Sequence, residues 1–313
     1  MPAPILRKAR TFSRILFEEI TYTWRAESLR PDFFVLGGQK CGTTALAHFL
    51  TKHPDVVGVK DKEAHFFHRD EVYARGQAWY ARQFSARAAY RSGVRLFDAT
   101  PCYMYHPGTA ERIRKYCPEA RLLVMLRNPV PRAWSAYVMV RHVRKNYREH
   151  VMRKILLNAN PEQRDPMVRF YFRETFPSFA QAIDEEIESL RNGDPKQLET
   201  SFVRRGLFAR QLEEYFKVFP RERIKIIEDK ELRNHREKVM GEVGEFLGLR
   251  PIAWNATELE DKNVRTYDER PDPEVVARLY DFFRPHNEQL FDLLGRRYDW
   301  EPKEKLRAER GNW

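Results

Sequence analysis

Residues 33–44 read FFVLGGQKCGTT: an apolar strand, a glycine loop and the start of a helix. Such a loop aims consecutive backbone N–H groups and a helix N-terminus at an anion. Glycines 37, 38 and 42 let the backbone approach a ligand closely. Lys40 adds a mobile positive charge, and two threonines add hydroxyl donors. The stretch therefore predicts a phosphate-binding loop.

The order of residues in this loop differs from that of an ATP-binding loop. A Walker loop reads G-x-x-x-x-G-K-[ST], with lysine directly after the last glycine and a hydroxyl residue that ligates Mg²⁺. Here Lys40 stands two residues before Gly42, and Thr43 takes the place of the Walker lysine. We therefore expect phosphate binding without a metal ion. A tight turn of an ordinary α/β protein is the alternative.

Strands and helices alternate along the rest of the chain. Strands are predicted at residues 33–36, 56–59, 95–97, 122–126 and 224–227, and helices at residues 43–52, 109–116, from about 131, 183–190, 208–219 and 275–294. This alternation predicts an α/β protein with a central parallel sheet covered by helices on both faces, a P-loop-like fold of three layers.

The predicted domain organisation is simple. Residues 1–30 form an amphipathic N-terminal extension, which Pro31 ends. We expect the extension to pack on the domain, with weak contact to a membrane surface as the alternative. Residues 31–313 form one domain. Within it, residues 141–173 are polar and irregular, which predicts a lid or an acceptor-binding insertion.

The composition of the chain limits the classes of binding partner and the cellular location that we expect. The 313 residues carry a formal net charge of +11, which favours anionic partners such as a nucleotide or a polyanionic sugar. Aromatic–glycine RNA-binding signatures are missing from the sequence, so nucleic acid is not expected. No run approaches the ~18 apolar residues of a membrane-spanning helix, and no cleavable signal follows the basic N-terminus. The three cysteines lack metal-ligand spacing. We therefore expect a cytoplasmic protein.

A second anion site is predicted around Arg127. This residue follows the strand at residues 122–126, and ligands of open α/β sheets bind at the carboxyl ends of strands. Ser135 lies eight residues further on, in the predicted first turn of the next helix. A guanidinium fork and a hydroxyl can converge on one phosphate. A salt-bridged rim arginine is the alternative. With the glycine loop, the pair indicates a nucleotide that carries two separated phosphates.

These segments resemble the phosphate motifs of sulfotransferases that use 3′-phosphoadenosine 5′-phosphosulfate (PAPS) as donor. The resemblance spans roughly residues 32–300 and is nearest to the branch of heparan sulfate N- and 3-O-sulfotransferases and their bacterial relatives. It implies that Lys40 contacts the bridging region of the phosphosulfate, and that Arg127 and Ser135 bind the 3′-phosphate. The loop residues implied to bind the donor are Gln39, Lys40, Cys41, Gly42, Thr43 and Thr44.

The resemblance also implies a base for the acceptor. Residues 60–67 read KDKEAHFF where the family has E-x-[HQ]-F-F. Glu63 falls on the glutamate that acts as general base, and His65 falls on a position that helps to shape the acceptor site. From the residues alone, a surface carboxylate beside Lys62 and a packed or capping histidine are the alternatives. After transfer, adenosine 3′,5′-bisphosphate is the implied product.

The chain departs from the 3-O-sulfotransferase pattern in two places. Ala99 stands where those enzymes carry a lysine near the acceptor, and the cysteine pair beside their late cofactor loop is missing. That loop corresponds to residues 262–267, whose Lys262 and Arg265 are predicted to cover the donor, with a plain basic loop as the alternative.

The sequence alone does not identify the acceptor, and it leaves two alternatives to a sulfotransferase. A carbohydrate or glycolipid is the predicted acceptor, and a small metabolite or a protein tyrosine are alternatives. An ATP-dependent small-molecule kinase is the alternative enzyme, although the missing G-K-[ST] opposes it. A polyanion-binding module without catalysis is the alternative of another class, and it explains the positive charge but not the ordered loop.

Overall fold

The computed structural model describes residues 29–85, 93–158, 173–193, 201–254, 259 and 269–302. Nearly all of the predicted N-terminal extension lies outside these residues, so its packing stays a prediction. Within the described part of the chain, no helix combines the length and the apolar character that crossing a bilayer requires.

Five parallel strands form the central sheet. Their bounds are Phe33–Gly37 (β1), Val56–Gly58 (β2), Arg95–Asp98 (β3), Arg121–Leu126 (β4) and Ile224–Glu228 (β5). The strand order is β2-β3-β1-β4-β5, and every neighbouring pair is parallel. All of β1 is buried, as expected for a short apolar run at the centre of a covered parallel sheet. The predicted α/β fold is confirmed.

Helices connect and cover the strands. Their bounds are Thr43–Leu50 (α1), Asp70–Tyr73 (α2), Gly76–Ala81 (α3), Thr109–Tyr116 (α4), Pro129–Asn158 (α5), Phe179–Arg191 (α6), Phe208–Val218 (α7), Asp229–Asn234 (α8), Arg236–Leu247 (α9) and Pro273–Leu294 (α10). Several starts follow local rules. The side chains of Ser178 and Gln181 form a capping box at α6, and Asp272 accepts the N–H of Glu274 at α10.

The helix α5 corrects one prediction. It continues to Asn158, with non-helical backbone only at Tyr147. Residues 141–158 are therefore helical and not irregular. Of its residues whose burial is described, 142, 145–147 and 149 are exposed, and a polar helix gives no clear periodic signal. Residues 159–172 lie outside the described residues, and a role as lid or acceptor-binding insertion stays a prediction.

The sheet topology defines where a ligand binds. In the sheet, β3 and β2 lie on one side of β1, and β4 and β5 lie on the other side. The strand order therefore reverses between β1 and β4. Open α/β sheets bind ligands in the crevice at the carboxyl ends of such strands. The glycine loop follows β1, and Arg127 follows β4. Both predicted anion-binding segments thus begin at the reversal point.

Candidate active site

The glycine loop after β1 rests on the end of β4. The N–H of Gly38 donates to the carbonyl of Met125 at 2.7 Å. A Cβ added to Gly38 would lie 3.1 Å from the ring of Phe208, and one added to Gly42 would lie 2.6 Å from Oδ1 of Asp229. Gly42 also has a φ of 87°, a backbone angle that residues other than glycine rarely adopt. Glycine is therefore needed at position 42, and a side chain at position 38 would require its neighbours to shift by a few tenths of an ångström.

The helix α1 begins at Thr43, directly after the loop. Gly42 occupies the N-cap position and has no side chain that could bind the first N–H groups of the helix. The positive end of the helix dipole lies at the same place. Thr44 is exposed, so an anion can reach this end of the helix from solvent. The local structure suits the predicted phosphate-binding role.

Lys40 lies in the loop with a left-handed backbone, at a φ of 67°. Non-glycine residues rarely adopt this conformation, and those that do cluster at ligand sites. Gln39 and Lys40 are both partly exposed, whereas Cys41 beside them is buried. A ligand can thus contact the side chains of the first two residues, while the backbone N–H of Cys41 donates to the carbonyl of Gly38 at 3.1 Å and closes the loop.

Arg127 lies against the same loop. Its Nη1 donates to the carbonyl oxygen of Lys40 at 3.3 Å. Its Nε lies 3.6 Å from Oδ2 of Asp229, the residue that follows β5. The guanidinium is therefore held between the loop after β1 and the end of β5. The structure brings together the two anion-binding segments that the sequence predicted separately.

Asp229 is a site residue that the sequence analysis missed. Its side chain is 7% exposed and contacts both Arg127 and Arg233. It also limits the space beside Gly42. A signal was present in the sequence, because an acidic residue directly after a strand of a parallel sheet lies at the ligand-binding edge. We assign Asp229 the role of orienting Arg127.

Ser135 lies in the second turn of α5, because this helix begins at Pro129. The prediction that it lies in the first turn, with a helix start near Pro131, is wrong. Pro129 already suits the first helical position, where a missing N–H has no cost. Ser135 is 3% exposed. Its role at a 3′-phosphate stays a prediction.

Glu63 lies in a tight turn of charged side chains. Lys62 Nζ donates to its Oε1 at 2.7 Å, and His65 Nε2 lies 3.4 Å from its Oε2. The side chain of Glu63 is 30% exposed, so an acceptor can reach the carboxylate. Lys62 and His65 have left-handed backbones, at φ values of 65° and 53°. The turn thus places an accessible carboxylate between a lysine and a histidine.

A buried histidine cluster adjoins this turn. The rings of His65 and His68 are 5.2 Å apart, and those of His68 and His106 are 4.8 Å apart. Burial, and then repulsion from the neighbouring His106 and His65, holds the pKa of His68 well below its usual value. His68 is therefore neutral at pH 7. The sequence analysis missed His68 and His106.

The family model described as "Sulfotransferase domain" matches residues 30–267. This chain belongs to the sulfotransferase family. The match covers most of the chain, including the glycine loop, Glu63 and Arg127. It confirms the predicted family and with it the prediction of a transferase that moves a sulfuryl group.

Individual relatives support the same family for this sulfotransferase. It is 26% identical to the membrane-associated sulfotransferase kil1 of Dictyostelium discoideum, over 87% of this chain and 66% of that protein. It is 28% identical to heparan sulfate glucosamine 3-O-sulfotransferase 6 of Homo sapiens, over 86% of this chain and 73% of that protein. The chain thus spans about two thirds to three quarters of the length of these relatives.

A solved structure has the same fold. The crystal structure of a sulfotransferase from Alicyclobacillus acidocaldarius is 28% identical to this chain, with a TM-score of 0.62. The alignment covers 87% of this chain and 99% of that one. The predicted likeness to the heparan sulfate branch and its bacterial relatives is therefore confirmed.

Cys41 of this sulfotransferase is not a nucleophile. Burial raises the pKa of its thiol to about 12, and the nearby positive charges of Arg132, Arg127 and Lys40 oppose this only in part. The Sγ atom points to the carbonyl of Gln39 at 3.8 Å. The thiol stays protonated at neutral pH, and only thiolates react readily.

Asp98 supports the turn that carries Glu63. Its fully buried carboxyl accepts hydrogen bonds from the hydroxyl groups of Tyr80, Thr100 and Tyr103, at 2.9, 2.6 and 2.7 Å. Two of these hydroxyl groups also accept hydrogen bonds from backbone N–H groups of the turn. Tyr103 accepts one from residue 66 at 3.0 Å, and Thr100 accepts one from residue 65 at 3.4 Å. Asp98 therefore connects the end of β3 to the turn through shared partners.

We expect Asp98 to make stability depend on pH. Burial raises its pKa from 3.8 to about 6, so the folded state binds a proton more tightly than the unfolded chain. Its contribution is fully present below about pH 4 and is lost as pH rises through about 6. The free energy of unfolding of the unmodified protein, minus that of Asp98→Asn, should fall by about 2–3 kcal/mol across this range. Urea titrations at several pH values measure this difference.

The control for this prediction is Asp61→Asn, which removes an exposed carboxyl near the same turn. The free energy of unfolding of the unmodified protein, minus that of Asp61→Asn, should change by much less across the same pH range. A difference for Asp98→Asn that stays constant, or that grows as pH rises, would show that Asp98 is not a destabilised buried carboxylate.

Lys262 and Arg265 lie outside the described residues. Their predicted position over the donor stays a prediction.

Proposed function

We propose that this sulfotransferase moves a sulfuryl group from PAPS to a hydroxyl or amine of a carbohydrate acceptor. One observation carries the proposal: Arg127 donates to the carbonyl of Lys40 at the point where the strand order reverses. An arginine and a glycine loop therefore lie side by side. A nucleotide with phosphates on its 3′ and 5′ positions needs two such neighbouring anion sites.

The residues at the end of β1 suit the 5′ side of the donor. Residues 42–44 lie at the start of α1, where no side chain caps the first N–H groups, and Gln39 and Cys41 belong to the loop that leads into the helix. Arg127 and Ser135 would bind the 3′-phosphate. Asp229 keeps the guanidinium in place, since its Oδ2 lies 3.6 Å from Nε of Arg127.

The proposed transfer divides the chemistry between Lys40 and Glu63. The donor supplies a sulfuryl group whose S–O bond to the phosphate breaks as the acceptor oxygen or nitrogen bonds to sulfur. Negative charge then develops on the phosphate oxygen that departs. The ammonium of Lys40, in the loop that holds this phosphate, stabilises that charge. No step of this proposal uses a metal ion.

Glu63 is proposed to take the proton that leaves the acceptor. Its carboxylate is accessible, and Nζ of Lys62 holds it by a hydrogen bond of 2.7 Å. His65 contacts the same carboxylate and is proposed to orient it toward the acceptor. The hydrogen bonds through Thr100 and Tyr103 hold the turn in this position.

Two observations favour a carbohydrate or glycolipid as the acceptor. The relative from Homo sapiens is named for the glucosamine of heparan sulfate, and the net charge of +11 suits an acidic sugar. A screen with labelled PAPS across glycans, glycolipids, small metabolites and tyrosine peptides tests the acceptor. Label in a glycan or glycolipid supports the proposal, and label only in phenols or metabolites contradicts it. The cytoplasmic location and a membrane contact of the N-terminus stay predictions.

We expect adenosine 3′,5′-bisphosphate to stabilise the protein, and ATP with Mg²⁺ not to do so. At 100 times its dissociation constant, a ligand that binds only the folded state adds about 2.7 kcal/mol. For a domain of this size, the midpoint of thermal unfolding should rise by about 5 °C. Differential scanning fluorimetry with the two nucleotides measures this.

The same experiment separates the alternative functions. Stabilisation by ATP with Mg²⁺ alone would favour a kinase. Stabilisation by a long polyanion such as polyphosphate, with no effect of either nucleotide, would favour a binding module without catalysis.

A further inference from the structure

A cluster of metal-ligating side chains lies beside the turn that carries Glu63. His65, His68 and Cys102 each offer one ligand atom, and these atoms all lie within 4.8 Å of one another. Two of the residues come from the turn and the third from the segment after β3. Residues distant in sequence thus meet at one place, next to the proposed base.

We propose that His65, His68 and Cys102 bind a divalent transition metal, of which Zn²⁺ fits best. Two imidazoles and one thiolate form a ligand set of nitrogen and sulfur, which selects Zn²⁺ over the oxygen-preferring Mg²⁺ and Ca²⁺. The proposal concerns binding only, and it does not depend on sulfuryl transfer.

The environment of His68 supports a ligand at this point. The side chain is 8% exposed, and within the described part of the chain neither Nδ1 nor Nε2 has a hydrogen-bond partner. Buried polar atoms nearly always have a partner. A metal ion bound to one of the two nitrogens would supply it.

The neighbours of the other two ligands match the surroundings of known metal sites. His65 Nε2 lies 3.4 Å from Oε2 of Glu63, and ligating histidines commonly donate their second ring nitrogen to a carboxylate. His65 would then bind the metal through Nδ1. Both terminal nitrogens of Arg205 donate to Cys102 Sγ, at 3.8 and 3.9 Å, so the sulfur lies beside a positive charge that balances the charge of a metal-bound thiolate.

The distances allow a Zn²⁺ ion with small adjustments. Tetrahedral bonds of about 2.0–2.3 Å place ligand atoms about 3.3–3.8 Å apart, so atoms separated by the full 4.8 Å would each move inward by about 0.6–0.9 Å. Three protein ligands leave the fourth tetrahedral position open to water or to an acceptor group.

Titration of the untagged full-length protein with Co²⁺ tests the site. Co²⁺ replaces Zn²⁺ in tetrahedral sites and reports its ligands by absorption. We expect one equivalent to give a thiolate-to-metal charge-transfer band in the near ultraviolet and visible bands of tetrahedral intensity. Zn²⁺ added afterwards should remove both.

Variants locate the site. Cys102→Ser should abolish the charge-transfer band, and His68→Asn should weaken Co²⁺ binding at least about tenfold. Cys117→Ser, which changes another buried cysteine, should keep the spectrum of the unmodified protein. Far-ultraviolet circular dichroism shows whether each variant is folded. Absence of the charge-transfer band in the unmodified protein would overturn the proposal. So would a band of unchanged intensity and affinity in a folded Cys102→Ser or His68→Asn protein.

Discussion

The variant Lys40→Ala should lose sulfuryl transfer almost completely and remain folded. Removal of one group that stabilises developing charge lowers kcat by about 10²–10³-fold in other enzymes. Alanine keeps the Cβ of lysine, so the left-handed backbone at position 40 is no more strained than before. Lys40 also contacts Arg127 through its carbonyl oxygen, which alanine retains. Transfer from labelled PAPS and the thermal midpoint together measure the effect.

The control is Lys52→Ala, which removes an exposed lysine just beyond the other end of α1. It has the same effect on net charge and should leave kcat unchanged. An unchanged kcat in Lys40→Ala would remove Lys40 from the mechanism. An equal loss in both variants would indicate that only overall charge matters.

The variant Arg127→Ala should weaken donor binding more than it slows transfer. A hydrogen bond to a charged group contributes about 1.5–3 kcal/mol, so loss of the guanidinium should raise the KM for PAPS by about 10–100-fold. We expect kcat to fall much less, because Lys40 and Glu63 keep their positions relative to the sulfuryl group. Steady-state kinetics with varied PAPS separate the two constants.

The matched control is Arg233→Ala, because Arg233 contacts the same carboxylate, Asp229, from a more exposed position. If Arg127 acts by direct contact with the donor, Arg233→Ala should change the KM by less than about threefold. An equal rise of KM in both variants would mean that Arg127 acts only by holding Asp229. A fall in kcat with unchanged KM would contradict the assignment to the 3′-phosphate.

The features that depend on local geometry could be predicted from short stretches of sequence. The strand before Gly37, the loop and α1 follow from an apolar run, glycines and a helix start within a dozen residues. Arg127 could be placed at the ligand-binding edge because it follows a continuous apolar strand. Parallel strands then bring both segments together, which the contact between Arg127 and Lys40 confirms.

Features that depend on long-range packing could not be predicted. Asp98 is a buried acceptor for Thr100 and Tyr103 of its own segment and for Tyr80, and nothing in that segment indicates the contact with Tyr80. His68 belongs to a cluster that forms only after the turn packs on the segment following β3. The left-handed backbone at His65 is equally hidden, since turns with positive φ usually reveal themselves by glycine.

A crystal structure of the complex with adenosine 3′,5′-bisphosphate tests most directly whether one nucleotide occupies both anion sites. We predict its 5′-phosphate at the backbone N–H groups of residues 42–44. The 3′-phosphate should lie within hydrogen-bond distance of the guanidinium of Arg127. A nucleotide bound away from either group, or one whose 3′-phosphate faces solvent, would contradict the central claim.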